Sequence, residues 1–323
     1  MIPTAAMAPD TIEPASAEAP MMGGRVSVHL IDRDDPARLA AAAARILDRL
    51  AAWADRLTRF TATSELSRLN GAPGPMVRIG PTMTAVLDWA RRAEGLTDGL
   101  VDVAMLDARL AAETGRQPGS GRKPADARHD RTIPASRRWS LDRRARGATV
   151  HREPGVRFDL DGVAKGWLAD RALALAATRS AMVDGDGDIA VRVAPGDHWP
   201  IGIADPRAPG HTLAVLDLRT DGNGPAGMGV ATSGTSVHRW THGATHAHHL
   251  IDPRVLRPAD TDVVQATVLA ATAREAEAWA KVAVIRGSAG AFEALDQPGV
   301  RGLLLLTEDG DLRATPGMVR WLA

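Results

Sequence analysis

The chain has 323 residues, and its 39 Lys and Arg residues equal its 39 Asp and Glu residues, so the formal net charge is zero. This length is sufficient for one large or two ordinary domains with a sizeable core. The balanced charge disfavours a nucleic-acid-binding protein, which normally carries a basic excess. Cysteine is absent, which excludes disulfides, cysteine nucleophiles and thiolate zinc sites in this chain.

The first residues of the chain have a composition of their own. Residues 1–21 are rich in Pro, Ala, Glu and Thr, which predicts a disordered N-terminal lead-in. They lack the basic start and the long apolar segment of a secretory signal, and no lipobox is present. No apolar run reaches the roughly 18–20 residues of a membrane helix. The expected location is therefore the cytoplasm.

The predicted elements begin with a strand over residues 25–31, in which apolar and polar side chains alternate. A long helix follows Asp35, which is a capping residue, and its apolar side chains recur at three- and four-residue steps. A second helix is predicted from Pro81 to about Glu94, with Gly95 as its C-terminal stop.

The second half of the chain begins after a predicted mobile insertion over residues 113–138, which are rich in Gly, Pro and charge and lack periodicity. A helix is predicted over residues 162–178. Short strands are predicted near residues 182, 189–193, 200–203, 213–218, 248–251, 263–270 and 303–306. Thr272 and Glu275 have the spacing of a capping box that starts a further helix. Because strands and helices mix without regular alternation, we predict an α+β fold in a single domain over residues 22–323.

Two polar blocks carry the strongest chemical signal, Asp159-Leu-Asp-Gly162-Val-Ala-Lys165-Gly166 and His249-Leu-Ile-Asp252-Pro253-Arg254. In the first block the glycines permit the close approach of a ligand, and the helix start offers free N–H groups to phosphate oxygens. Lys165 adds a point charge there. The alternative interpretation is a capped helix in which Lys165 pairs with Asp161.

A second acidic and Gly-rich block is Val183-Asp-Gly185-Asp-Gly187-Asp188-Ile189. Its Asp residues have the spacing of the start of a calcium loop. That loop also needs Gly at its sixth position and Glu at its twelfth, where this chain has Ile189 and Pro195. The calcium interpretation fails, and a strand end that lies against a nucleotide fits better.

Further blocks combine small, hydroxyl and acidic residues. Ala231-Thr232-Ser233-Gly234 has residue types that suit hydrogen bonds to phosphate or ribose. Alone, residues 64–70 (SELSRLN) indicate a helical turn, and residues 97–102 (TDGLVD) indicate an ordinary loop. Five histidines between His238 and His249 suggest zinc, but they lie on alternating faces and no well-spaced Glu completes a site.

Taken together, these blocks resemble, in order and spacing, the signature of the ApbE-like FAD:protein FMN transferases over roughly residues 22–287. The resemblance implies an ApbE-like, T-fold-like α+β fold with mixed sheets, packed helices and two lobes around a flavin cleft. It also implies that FAD is cleaved at its pyrophosphate. The FMN half would be attached through a phosphoester to a Ser or Thr of an acceptor protein, with release of AMP.

The same resemblance implies a set of site residues. Catalytic roles fall to Lys165, His249 and Asp252. The residues expected to bind the flavin nucleotide are Asp102, Asp161, Lys165, Gly185, Gly187, Asp188, Thr232, Ser233, Gly234 and His249.

The resemblance also implies Mg²⁺, held in the family by an Asp and a Thr four residues apart on a helix and by a backbone carbonyl. The corresponding positions here are Glu277, Lys281 and the carbonyl of Gly162. Glu is an adequate oxygen ligand, whereas protonated Lys is not a ligand. Two interpretations stay open: Lys281 lies along the helix as a partner of Glu277, or its ammonium takes the place of the cation and touches the pyrophosphate. FAD and Mg²⁺ are the expected cofactors.

Some positions depart from the family pattern. Asp161 and Asp186 stand where the family has small residues, and Val255-Leu256 replaces the usual Thr-Gly. Two alternatives to the transferase therefore stay open, an FAD pyrophosphatase that releases FMN and AMP and an FAD-binding protein with weakened catalysis. The expected partner is an acceptor protein with a Ser or Thr flavinylation motif, with no nucleic acid and no membrane span.

Overall fold

The computed structural model describes residues 13–115, 138–220, 222, 226–242 and 245–323. Residues 116–137 of the predicted insertion and residues 1–12 of the predicted lead-in lie outside the described residues. The helices of the described part are Pro36–Leu57 (α1), Glu65–Gly71 (α2), Pro81–Leu96 (α3), Leu106–Thr114 (α4), Ala164–Leu173 (α5), Ala273–Ala294 (α6) and Pro316–Val319 (α7).

The first strands are Ala15–Met21 (β1), Gly24–Ile31 (β2), Met76–Ile79 (β3), Trp139–Arg144 (β4), Gly147–Arg152 (β5), Ser180–Gly185 (β6), Asp188–Val193 (β7), His198–Ala204 (β8) and Thr212–Arg219 (β9). The later strands are Ala226–Gly234 (β10), Arg239–His242 (β11), Thr245–His248 (β12), Ile251–Asp252 (β13), Arg257–Pro258 (β14), Val263–Ala270 (β15), Val300–Thr307 (β16) and Leu312–Ala314 (β17).

An eight-stranded antiparallel sheet in the order β1-β2-β6-β7-β10-β15-β16-β17 is the centre of the fold. Side chains alternate across it, so Ala190 of β7 packs towards α1, α5 and α6, whereas Ile189 and Val191 pack towards the β8–β9 hairpin. A smaller sheet has the order β3-β5-β4. The α+β class predicted from the sequence is confirmed.

The long helices form where the sequence predicts them. Asp35 accepts a hydrogen bond from the Ala37 amide, and the apolar stripe of α1 is buried. The Thr272 hydroxyl accepts the Glu275 amide at 3.3 Å and starts α6. The prediction that Gly95 ends α3 was wrong. Gly95 lies inside the last turn, and the helix ends at Thr97, whose amide donates to the Ala93 carbonyl.

Two segments differ from the sequence prediction. The lead-in was expected to be disordered to residue 21, but β1 pairs with β2 along its whole length. Ala17, Ala19 and Met21 pack against the core at alternate positions, a period that the composition of the segment concealed. The strand predicted over 248–251 is divided, since β12 ends at His248 and β13 begins at Ile251.

A third apolar cluster joins α4 to the short strands β11 to β13 and is separate from the main core. Its buried members are Met105, Ala108, Ala112, Ala247 and Ile251. This cluster forms one wall of the cleft described below. Within the described residues, no helix combines the length and the apolar character needed to cross a bilayer.

Candidate active site

A cleft lies between α4, the turn before α5 and the segment that follows β12. Its cavity is small, with a volume of about 40 Å³. The lining residues are Leu100, Asp102, Met105, Arg109, Asp159, Asp161, Gly162, His249, Ile251 and Lys281. Residues predicted from four distant blocks of the sequence thus meet in one place.

The floor of the cleft is the tight turn at residues 159–163. The Asp159 amide is bonded to the Val103 carbonyl, and the Asp161 amide donates to the Asp159 carboxylate at 3.2 Å. Burial opposes ionisation of Asp161, but Lys165 and Arg109 outweigh it and hold the pKa of this carboxyl below its ordinary value. Asp161 therefore carries a negative charge at the cleft floor.

Lys165 projects from the first turn of α5 towards the hairpin between β6 and β7. Its Nζ lies 3.3 Å from Asp188 Oδ2 and 4.0 Å from Asp186 Oδ2. The Asp188 carboxylate raises the pKa of Lys165 against the effect of burial, and Glu277 and Asp161 add to this. The side chain is therefore charged, and its partner is Asp188 rather than the Asp161 that the sequence suggested.

The predicted Gly-rich hairpin places its backbone beside α5. Asp184 accepts the Gly187 amide at 2.7 Å, and Gly187 has a φ of +89°. A Cβ on Gly185 would lie 3.2 Å from the carbonyl oxygens of Lys165 and Asp188. Gly185 therefore permits this close approach, which places Asp188 next to Lys165.

Glu277 reaches the start of α5 from helix α6. It is 3% exposed, and its Oε2 accepts the Gly166 amide at 3.0 Å. Its Oε1 is buried without a hydrogen-bond partner. Burial raises the pKa of Glu277 well above its ordinary value, and the neighbouring Asp188 acts in the same direction. As predicted, Glu277 lies on the same side of the fold as Lys165.

Lys281 stands one helical turn after Glu277 and points into the cleft. A Cβ built on Gly162 would lie 1.3 Å from Lys281 Nζ, so the ammonium occupies the space beside this glycine. Within the described residues no carboxylate lies within 4.0 Å of Nζ, so Lys281 has no ion-pair partner there. Of the two interpretations left open by the sequence, the structure supports the one in which Lys281 faces the site.

His249 presents a neutral imidazole to the cleft. Its Nδ1 lies 3.2 Å from the Val237 carbonyl, and because a carbonyl accepts only, Nδ1 donates and Nε2 is left as an acceptor. Burial lowers the pKa of His249 to about 3, with Arg109 and Lys281 acting in the same direction and Asp161 opposing them. The ring is therefore uncharged at neutral pH.

Arg109 is a cleft residue that the sequence analysis did not identify. It is 5% exposed, its Nε donates to Glu113 at 2.9 Å, and its Nη1 donates to the His249 carbonyl at 3.1 Å. Nη1 also lies 3.5 Å from Asp161. The i,i+4 spacing of Arg109 and Glu113 was a usable signal, but Glu113 had been assigned to the insertion. Arg109 joins α4, the 159–163 turn and the His249 segment.

Two acidic residues of the predicted site have partners of their own. Asp102 lines the cleft, accepts the Ala104 amide at 2.7 Å and pairs with Arg138 at 3.0 Å. Asp252 accepts both the amide and the guanidinium of Arg254, the latter at 2.7 Å. The residues that line the described cleft include His249 but not Asp252, Lys165 or Glu277. The contacts of Asp252 support a role in shaping the turn after His249.

The predicted Thr232-Ser233-Gly234 segment forms the end of β10. Thr232 is hydrogen-bonded to the Thr267 hydroxyl of β15 at 2.9 Å. A Cβ on Gly234 would lie 2.7 Å from the Val264 carbonyl. These contacts fix the strand end, and the role of the segment in binding phosphate or ribose stays a prediction.

The side chains at the expected metal position do not match a magnesium site. Mg²⁺ requires a near-octahedral set of oxygen ligands, whereas Lys281 places an ammonium against Gly162. Glu277 already bonds the Gly166 amide with one of its oxygens. Within the described residues no group of three or more His, Cys, Asp or Glu side chains is arranged to hold a metal.

Comparison with known proteins finds relatives that are FAD:protein FMN transferases. An FAD:protein FMN transferase of Rhodobacter capsulatus is 30% identical over 80% of this chain and 49% of its own length. One of Treponema pallidum is 32% identical over 52% of this chain and 48% of its own length. The chain thus spans about half the length of these two relatives.

Solved structures support the same fold. The ApbE protein of Thermotoga maritima superimposes with a TM-score of 0.77 at 21% identity, covering 96% of this chain and 100% of that one. The apo form of the flavinyl transferase ApbE of Pseudomonas stutzeri gives 0.74 at 19% identity, with 98% of each chain covered. The model of the ApbE family matches residues 22–304, and the chain therefore belongs to the ApbE family.

Proposed function

We propose that the protein is an FAD:protein FMN transferase that transfers the FMN half of FAD to a Ser or Thr hydroxyl of an acceptor protein and releases AMP. The observation that carries this proposal is the presence in one cleft of the Lys281 ammonium, which has no carboxylate partner within the described residues, and the neutral imidazole of His249. Phosphoryl transfer needs charge neutralisation, alignment and a proton acceptor more than covalent help from the protein.

The proposed reaction gives each of these groups a role. The acceptor oxygen attacks the phosphorus of the FMN half, and the bond from that phosphorus to the bridging oxygen breaks. The bridging oxygen leaves with AMP. The hydroxyl proton passes to Nε2 of His249, whose basicity rises when the negative pyrophosphate enters the cleft beside it.

Other residues in and around the cleft have supporting roles. Lys165 is held by Asp188, and this ion pair fixes the start of α5 against the hairpin between β6 and β7. Arg109 fixes the His249 backbone, and Asp252 shapes the turn that follows it. The donor set at Glu277 and Lys281 does not fit the Mg²⁺ ion that the resemblance implies.

The test is an incubation of the purified protein with FAD and an extract of cells in which it is naturally expressed. AMP is measured by chromatography, and protein-bound flavin by in-gel fluorescence. AMP together with a fluorescent protein band supports the transferase. AMP with an equal amount of free FMN supports the pyrophosphatase alternative, and intact bound FAD supports a binding protein.

A further inference from the structure

Lysine is rare in this chain, and two of its few lysines belong to the site. Three of the 39 Lys and Arg residues are lysines, namely Lys123, Lys165 and Lys281. Arg supplies the positive charge at all other positions. An ammonium is a compact point charge, whereas a guanidinium is a broad planar group. Position 281 therefore carries the more compact of the two cations, and its ammonium lies against Gly162.

The surroundings of Lys281 leave its charge available to a ligand. Asp161 and Glu277 act on it through space but do not approach within 4.0 Å, because Asp161 is drawn to Arg109 and Glu277 to the Gly166 amide. Lys165 and Arg109, by contrast, have carboxylate partners within 3.3 Å and 2.9 Å. Within the described residues, Lys281 is therefore the cleft cation that has no carboxylate partner. Its N–H groups can bind an anion of a ligand.

We propose that Lys281 acts as a built-in cation that hydrogen-bonds directly to the pyrophosphate of FAD, in place of the divalent ion that the family pattern implies. The inference rests on the proposed function and deepens it. One ammonium then replaces the two positive charges of a divalent ion. FAD binding and cleavage should then proceed without a divalent metal.

Glu277 gains a different role under this proposal. It holds the Gly166 amide and does not ligate an ion. Glu277→Gln preserves an acceptor oxygen for that amide but removes the carboxylate that a metal would need. The variant should therefore retain FAD binding within about threefold, a difference of less than ~1 kcal/mol.

The test measures FAD affinity by titration calorimetry in EDTA and in Mg²⁺ for the wild type and for three variants. The wild type should bind FAD equally in both buffers. Lys281→Gln should weaken FAD binding by about tenfold to a hundredfold in both, the loss expected for a charge-assisted hydrogen bond. Lys281→Thr should bind FAD weakly in EDTA and regain affinity in Mg²⁺, because the substitution adds an oxygen ligand beside Glu277.

Two controls separate a local effect from misfolding. Arg286→Gln removes a positive charge from an exposed position of the same helix and should leave FAD binding unchanged. Riboflavin, which lacks phosphate, should bind wild type and Lys281→Gln equally.

Several results would overturn the inference. A wild type that binds FAD only with Mg²⁺ defeats it and leaves the transferase proposal standing, as does a loss of about a hundredfold in Glu277→Gln. A wild type that binds no FAD in either buffer defeats both.

Discussion

Two cations of the cleft, Arg109 and Lys281, and the neighbouring Lys165 differ in how far each is already neutralised. Lys165 lies 3.3 Å from Asp188, and Arg109 is held by Glu113 and Asp161. Lys281 has no such partner within the described residues. A cation that is already paired mainly positions its neighbours, whereas an unpaired one retains its attraction for a ligand anion. Lys165 and Arg109 thus organise the site, whereas Lys281 is available to bind a ligand anion.

The protonation state of His249 is a prediction at the residue scale. Burial lowers the pKa of His249 to about 3, so its ring signals should not titrate between about pH 5 and pH 8 in the FAD-free protein. Bound pyrophosphate places negative charge beside the ring and should raise this pKa. Nuclear magnetic resonance of labelled histidine, assigned with His249→Gln, measures both states. A midpoint near 6.5 in the free protein would contradict the prediction.

Gly162 supplies a steric prediction. A methyl group there would lie 1.3 Å from Nζ and 2.5 Å from Cε of Lys281, so Gly162→Ala must displace the ammonium. Because the obstructing group is the end of a flexible side chain, we expect stability to change by less than about 1 kcal/mol. FAD affinity should fall by about tenfold or more. Gly95→Ala, whose methyl group meets nothing within 4 Å, is the matched control for calorimetry and thermal unfolding. Unchanged FAD affinity in Gly162→Ala would count against the placement of Lys281.

At the scale of elements, the N-terminus of α6 fixes the geometry of the site. Asp170 of α5 accepts the amides of Ala273 and Arg274 at 3.0 and 3.2 Å. A Cβ on Gly166 or on Gly229 would lie within 2.6 Å of the Ala273 backbone. These close contacts hold α6 against α5 and β10, which brings Glu277 and Lys281 to the cleft. The position of the α6 N-terminus therefore determines where both Glu277 and Lys281 lie.

Asp170 gives a pH-dependent stability prediction for this junction. Burial raises its pKa to about 6 from an ordinary 3.8, so the folded state binds the proton more tightly than the unfolded state. The stability that this tighter proton binding contributes is fully present below about pH 4 and is lost as the pH rises through 6. It amounts to about 3 kcal/mol.

The measurement is urea unfolding of the wild type and of Asp170→Asn, a variant that does not titrate. The free energy of unfolding of the wild type, relative to that of Asp170→Asn, should fall by about 3 kcal/mol between about pH 4 and pH 7. A difference that is constant or that grows with pH would contradict the assigned pKa.

Elements with strong local signals could be predicted from the sequence, whereas contacts between distant segments could not. The stripe of α1 and the Thr272 cap are local patterns, and both were found. Strand β1 was missed because its small alternating residues resemble a disordered composition. The role of Arg109 depends on the His249 carbonyl, 140 residues away. The direction of Lys281 depends on a glycine in another element, which helical spacing alone does not reveal.

At the scale of the whole molecule, the cleft lies between two separately packed regions. One is the large sheet with α1, α5 and α6, and the other is the apolar cluster of α4 with β11 to β13. The first region supplies Gly162 and Lys281, and the second supplies Arg109 and His249. Arg109 crosses between them by its contact with Asp161. The Lys281 ammonium, which we propose binds the pyrophosphate, thus comes from one side and the imidazole from the other.

This arrangement predicts that FAD binds more tightly than FMN. The pyrophosphate lies at the middle of FAD, so a cleft whose cations meet that group must also accommodate a nucleotide half on each side. FMN ends at a single phosphate and loses every contact of the adenosine half. We expect an affinity for FAD at least about tenfold higher, equivalent to ~1.4 kcal/mol. Equilibrium dialysis of the purified protein against each flavin measures the ratio, with riboflavin as the phosphate-free reference. Equal affinities for FAD and FMN would show that the adenosine half is not held, and the transfer of FMN with release of AMP would then lack its binding site.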